Sequence, residues 1–158
     1  MLNTLHQGIH FSERLIKTAL LPLAARLGLA ATFWLSGQTK ITGLQIDILG
    51  GSPLQFGIPQ VTDGAIALFQ QEYRLPLLDP ALAATLAAAA EHILPLLLLI
   101  GLATRVSALG LLGMTMVIQL FVYPDAWPLH LTWIAAQLYL LIYGAGRLSL
   151  DQLLPRRR

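Results

Sequence analysis

The chain has no cysteine and few charged side chains. Only 11% of its 158 residues are charged, against about 25% in an average soluble domain. Without cysteine it can form no disulfide, no thiolate nucleophile and no cysteine-ligated metal site. With so few charges, and a mean hydropathy of +0.67, it is unsuited to a soluble globular fold, a disordered segment or a basic nucleic-acid-binding face. The composition indicates a single membrane domain over residues 1–158.

Four apolar runs dominate the sequence. A helix needs about 20 mostly apolar residues to cross a bilayer, and each run is close to that length. We expect spans at about residues 18–37, 83–102, 105–124 and 128–145. The last three follow one another closely, so they must run antiparallel. Because an isolated span satisfies its backbone in lipid only as a helix, the sequence predicts an all-α, integral membrane protein, an antiparallel four-helix transmembrane bundle.

Basic residues lie mostly on one side of this predicted bundle. The loop between the first two spans, residues 38–82, contains only two basic residues, Lys40 and Arg74. The positive-inside rule therefore predicts an external loop 38–82, a cytoplasmic basic tail 146–158 and cytoplasmic N- and C-termini. The basic residues of the predicted cytoplasmic side are Arg14, Lys17, Arg105, Arg147, Arg156, Arg157 and Arg158.

The external loop contains one amphipathic segment. Thr62 is a typical N-cap, and Ile66, Phe69 and Tyr73 follow at helical spacing. We expect a short interfacial helix on the outer membrane surface. The pattern favours a helix that only closes the fold over one that acts as a lid on the bundle.

Ionisable residues within spans are costly in lipid, so they usually face the bundle interior and find partners. At a rise of about 1.5 Å per residue, Arg26, Glu91 and Gln137 share a middle layer of the bundle. This placement predicts a buried Arg26–Glu91 ion pair assisted by Gln137. Such a pair would align the first two spans whether or not it had a further function.

A second polar layer lies nearer the outer surface. Gln119 and His130 fall at one height, with Lys40 and Tyr123 close to it. Lys40 has an alternative, which is to extend its ammonium group to the lipid surface. Since His92 and His130 lack the helical spacing of a metal-binding pair, we predict no metal site.

Five segments of the sequence resemble the DoxX family. The resemblance extends over almost the whole chain and is weakest at about residues 45–61. The segments are FWLSGQTKI (33–41), LFQQEYRLPLLDP (68–80), EHILPLLLLIGLATR (91–105), MTMVIQLFVYPDAW (114–127), which is followed by His130 and Trp133, and GAGRLSLDQLL (144–154).

The resemblance implies a small four-helix protein of the bacterial inner membrane, associated with respiratory and sulfur redox chemistry. The family offers no agreed set of catalytic residues to carry over. Arg105 and Asp151 are expected to anchor turns rather than line an outward-facing site. The matching positions are Gln38, Lys40, Glu91, Arg105, Gln119, Tyr123, His130 and Asp151.

Two classes of function stay open. In the first, the chain is an accessory or quinone-facing subunit of a membrane redox complex. Lys40, Gln119, Tyr123 and His130 would bond the quinone head group, with Glu91 and His92 as proton relays. In the second, the chain is a non-enzymatic protein that handles a small solute or metal ion, or a scaffold for another membrane protein.

Catalysis by the chain itself is not expected, because no nucleophile or metal cage is recognisable. Any enzymatic role would be as part of a quinone-linked oxidoreductase complex. The cofactor is unidentified, with a quinone as the candidate. The expected partners are the lipid bilayer and other membrane or redox-complex subunits, and not nucleic acid, while homo-oligomerisation stays open.

Overall fold

The computed structural model describes residues 10, 12–48 and 53–153. This part of the chain is mostly helical, as predicted. Wider π-helical turns occur at Ile16–Leu20, Phe69–Tyr73 and Ile118–Val122, each continuous with an α-helix. The helices are α1 (Leu21–Gln38), α2 (Asp63–Leu68), α3 (Pro80–Ile100), α4 (Thr104–Val117) and α5 (Trp127–Tyr143), with short 3-10 turns at Pro124–Ala126 and Leu150–Gln152.

Three helical stretches within the described residues are long and apolar enough to cross a membrane. They are Ser12–Gln38, Pro80–Ile100 and Thr104–Val122. These stretches overlap the first three predicted spans, although the first helix begins well before residue 18. Helix α5 occupies the fourth predicted span and has 17 residues.

Helix α3 shows how local sequence sets the helix limits. Asp79 is its N-cap, and the carboxylate accepts hydrogen bonds from the amides of Ala81 and Leu82. Pro80 follows at the first helical position, where no backbone N–H is needed. The helix ends at Gly101, whose φ of +69° lies in the left-handed region that favours glycine. A short connection, residues 101–103, then leads into α4.

The long helices pack around one apolar core. Helices α1 and α4 each contact both α3 and α5, and the core contains Leu29, Phe33, Leu98, Leu111 and Leu140. Small residues permit close approach, as in membrane helices generally. A Cβ atom on Gly110 of α4, for example, would lie 2.8 Å from Leu94 Cδ1 of α3.

Arg26 joins the helix ends on the side opposite residues 39–48 and 53–79. We call this side the tail end. The side chain of Arg26 is buried and donates hydrogen bonds to the carbonyl oxygens of Leu98 (2.7 Å), Leu99 (2.8 Å), Ala145 (3.1 Å) and Leu148 (2.6 Å). The last carbonyls of a helix have no partner within it. Arg26 supplies that partner for α3 and the segment after α5.

The predicted Arg26–Glu91 ion pair is therefore wrong. Glu91 precedes Leu98 by seven residues in α3, which places it about 10 Å further from the tail end. The prediction placed the tail end of the first helix at residue 18, whereas Arg26 itself lies level with the last turn of α3, whose carbonyls it bonds. The assisting role of Gln137 is wrong too, because its Nε2 donates to Thr115 Oγ1 at 2.8 Å.

Two further contacts hold the tail end. Asp151 accepts hydrogen bonds from the amides of Ala103 (2.7 Å) and Thr104 (3.0 Å) and so caps α4, whose own N-cap residue Ala103 has no capping side chain. Arg105 donates to the carbonyl of Ile142 at 3.0 Å. Both residues anchor the turns between helices, as expected.

The connection from α1 to α3 is more ordered than the sequence indicates. Ile41–Thr42 (β1) and Gln60–Val61 (β2) form an antiparallel pair, which the sequence analysis missed. Thr62 then caps α2, its hydroxyl accepting from the amide of Ala65 at 3.0 Å. The predicted short helix beginning after Thr62 is confirmed.

Candidate functional site

A cavity of about 430 Å³ lies between the long helices and α2. Its walls are mainly apolar, with Phe33, Met114 and Trp133 among the larger side chains. Four of the six predicted ligand-binding residues line it: Lys40, Glu91, Tyr123 and His130. Gln119 contacts the site only through His130, and His92 lies elsewhere. Most of the predicted outer polar layer is therefore brought together around one space.

Lys40 and Glu91 form a buried ion pair at the wall of this cavity. Lys40 Nζ lies 2.7 Å from Glu91 Oε2, and the side chains are 8% and 4% exposed. The Lys40 ammonium group also donates hydrogen bonds to the carbonyl and hydroxyl oxygens of Ser36, at 3.1 and 3.0 Å. The Ser36 hydroxyl donates to Glu91 Oε1 at 3.1 Å. The three groups form one closed network.

The backbone explains why Lys40 faces inward. It lies two residues beyond α1, and its ammonium group folds back onto the last turn, where it bonds the carbonyl of Ser36. A cation at that position is favoured by the negative end of the helix. Gly37 lets α3 approach closely, since a Cβ atom there would lie 3.1 Å from Glu91 Cβ. Lys40 does not extend to the lipid surface, and the alternative prediction is wrong.

His130 is held in one orientation by Gln119. His130 Nδ1 lies 2.7 Å from Gln119 Oε1, while Gln119 Nε2 donates to the carbonyl of Pro124 at 2.8 Å. The His130 ring packs against Trp133, with 5.1 Å between ring centroids. Two helical elements, the end of α4 and the start of α5, therefore fix the ring at the cavity wall.

Tyrosines lie at the end of the cavity formed by residues 69–78. Tyr123 donates to Glu72 Oε1 at 2.9 Å and lies 3.4 Å from the hydroxyl of Tyr73. Burial, with the nearby Tyr123 second, raises the pKa of the Tyr73 phenol above its usual value. Tyr73 therefore keeps its proton at neutral pH. These contacts join α2 to the end of α4.

His92 points away from this cavity, although it is adjacent to Glu91. Its ring accepts a hydrogen bond from Gln38 Nε2 (2.8 Å), with Nδ1 2.6 Å from the carbonyl of Ala88. It lines a second, more apolar space of about 320 Å³, together with Trp34. Neighbouring residues of a helix face different directions, so of the two expected proton relays Glu91 lines the 430 Å³ cavity and His92 lines the second space.

Thr32, Ser36 and Tyr73 are hydroxyl-bearing wall residues outside the predicted ligand-binding set. Ser36 lies four residues before Lys40, the spacing at which side chains share one helix face. Tyr73 was noted only as part of an amphipathic pattern. Across residues 10, 12–48 and 53–153, no group of three or more histidine, aspartate or glutamate side chains is arranged to hold a metal ion.

A comparison with protein families gives one match. The DoxX family model matches residues 21–124, about two thirds of the chain. The matched segment includes Lys40, Glu91, Gln119 and Tyr123 and ends before His130. Neither the curated proteins nor the solved structures provide a match. Because the match covers more than half of the chain and three of its helices are long and apolar enough to span a membrane, the chain is a membrane protein that belongs to the DoxX family.

Proposed function

We propose that this protein binds a quinone-type ring ligand in the 430 Å³ cavity and acts as an accessory, quinone-facing subunit of a membrane redox complex. The observation that carries the proposal is a mainly apolar cavity with a few polar groups at its wall. Small-molecule sites commonly have this character and volumes of about 300–1,000 Å³. Without cysteine, the chain has no thiol of its own to exchange electrons with a quinone, so a partner would supply them.

The charges at the wall favour a neutral ligand. The Lys40 ammonium group and the Glu91 carboxylate lie 2.7 Å apart and offset each other. An anionic or cationic ligand would therefore have no unpaired opposite charge to meet there, and burial of an unpaired charge is costly. The aromatic walls, Phe33 and Trp133, suit a flat ring.

Several wall residues also face the outside of the molecule. Leu78, Leu86 and Leu129 line the cavity and are 44%, 53% and 52% exposed. In a bilayer such surfaces would contact lipid tails. They support entry of an apolar ligand from the membrane rather than from water.

We further propose an inner-membrane location, in bacteria, with four membrane-crossing helices. Helix α5, with 17 residues, would be about 25 Å long, close to the roughly 30 Å hydrocarbon core. The distribution of basic residues supports cytoplasmic N- and C-termini. In this arrangement, residues 39–79 would face outward and the cavity would lie in the outer half of the membrane.

Two adjacent alanines provide a matched test. Ala90 lines the 430 Å³ cavity, and Ala89 lines the second space on the other side of α3. We expect purified wild-type protein to retain extractable quinone, measured by absorbance after solvent extraction. Ala90→Phe should lose most of it, because the ring fills the cavity, and Ala89→Phe should retain it.

The same measurement can reject the proposal. Absence of quinone from wild-type protein, together with failure to take up added short-chain quinone or hydroquinone in nanodiscs, would contradict it and favour the non-enzymatic alternatives. Equal loss in both variants would place the ligand outside this cavity.

A further inference from the structure

We propose that the cavity binds its ring ligand preferentially in the reduced, hydroxyl-bearing form, a hydroquinone whose O–H donates to Nε2 of His130. The inference rests on the proposed function, because it specifies the redox state of the ligand in the same cavity. It follows from the direction of the hydrogen bonds around the site.

The direction of the hydrogen bond at His130 is set by Gln119, and the orientation of Gln119 is set in turn by Pro124. The carbonyl of Pro124 can only accept, so the side-chain amide of Gln119 must turn its NH₂ group towards it. The oxygen of that amide then faces His130 Nδ1, at 2.7 Å. An amide oxygen also only accepts, so Nδ1 must carry a hydrogen.

In the neutral imidazole, only one ring nitrogen carries a hydrogen. With that hydrogen on Nδ1, Nε2 of His130 is an acceptor. His130 lines the cavity, so a ligand that meets Nε2 must supply the hydrogen. A quinone carbonyl has none, and would place two acceptors against each other.

The groups expected to donate to a quinone carbonyl already donate within the protein. Lys40 bonds both oxygens of Ser36 and pairs with Glu91. The hydroxyl of Ser36 donates to Glu91, and that of Tyr123 to Glu72. These contacts would have to break before any of the three bonded a ligand oxygen.

Two further hydroxyl groups lie at the cavity wall, those of Thr32 and Tyr73, and the Thr32 hydroxyl donates to the carbonyl of Gly28 at 2.9 Å. The Tyr73 oxygen is 3.4 Å from that of Tyr123, which is a long hydrogen bond. A hydroxyl group both donates and accepts, so Tyr73 does not distinguish a quinone from a hydroquinone. Trp133, also at the wall, has an indole N–H that only donates, and the oxygens of both forms can accept from it. The discrimination therefore falls to His130.

Three probes of similar shape test the inference. They are a short-chain 1,4-hydroquinone, the corresponding quinone, and the dimethyl ether of the hydroquinone. Binding to the full chain in nanodiscs is measured anaerobically by isothermal titration calorimetry. We expect the hydroquinone to bind about tenfold more tightly than either other probe, which corresponds to about 1.4 kcal/mol, within the cost of one unsatisfied buried acceptor.

Gln119→Met and His130→Phe examine the mechanism. Gln119→Met frees the imidazole to carry its hydrogen on either nitrogen, and His130→Phe removes the acceptor while keeping a ring against Trp133. Both should bring the hydroquinone-to-quinone affinity ratio close to one. The control is His92→Phe, the same replacement at the second space, which should leave the ratio unchanged.

The outcomes separate this inference from the proposed function. If the wild-type protein binds the quinone or the dimethyl ether as tightly as the hydroquinone, only the inference is overturned. If it binds none of the three, the proposed function fails and the inference with it. An unchanged ratio in folded Gln119→Met and His130→Phe proteins would also overturn the inference.

Discussion

At the scale of single residues, the Lys40–Glu91 pair is a costly feature to disturb. Both side chains are buried, and each charge relies on the other. Removing one partner of a buried pair leaves an uncompensated charge, which typically costs about 3–5 kcal/mol. We expect Glu91→Gln to lower the free energy of unfolding by about that amount, measured by thermal or denaturant unfolding in detergent.

Two controls identify the cause. The double variant Lys40→Met/Glu91→Leu should recover much of the loss, since replacing both charges with apolar groups is often nearly neutral. Glu13→Gln breaks an exposed pair with Lys17, at 3.8 Å, and should have little effect. A double variant no more stable than Glu91→Gln would contradict this explanation.

The sequence indicated which types of residue would be important. It was a poorer guide to the partners of those residues. Ionisable groups in apolar runs were correctly expected to be buried and satisfied, because lipid leaves no alternative. Partners depend on the relative height and rotation of the helices. The level of the tail end along the first helix was misplaced by several residues, which moved Arg26 into the wrong layer. A few residues of uncertainty at a helix end amount to several ångströms along its axis.

At the scale of elements, α4 depends on a cap supplied from the far end of the chain. Asp151 bonds the amides of Ala103 and Thr104, which have no intrahelical acceptor. We expect Asp151→Ala to reduce stability by about 1–2 kcal/mol, the usual cost of losing a cap. The exposed Asp125 provides the control, and Asp125→Ala should unfold at nearly the wild-type temperature. Equal effects of the two variants would refute this role.

Element types were predictable where the pattern was long or the cap was distinctive. The apolar runs and the Thr62 cap of α2 are of this kind. The pairing of β1 with β2 was not predictable, because each strand has only two residues and carries no measurable periodicity. The cavity was not predictable either, since it depends on how α2 and the long helices leave space between them.

At the scale of the whole molecule, the absence of cysteine gives a direct test of orientation. Gln71 is exposed next to α2, and Leu153 is 79% exposed at the tail end. In intact cells we expect Gln71→Cys to react with a membrane-impermeant maleimide. Leu153→Cys should react only after permeabilisation. The unsubstituted chain, which has no thiol, is the background control, and the reverse labelling pattern would invert the proposed topology.

The hydrogen bonds of Arg26 also have a consequence for biosynthesis. Two of its four acceptors belong to α3, but the other two lie 119 and 122 residues after it in the chain. During translation, the guanidinium group therefore enters the bilayer long before the ribosome has made its last acceptors. A nascent chain that ends at residue 144 lacks both. The helices can be locked together at this point only when synthesis is almost complete.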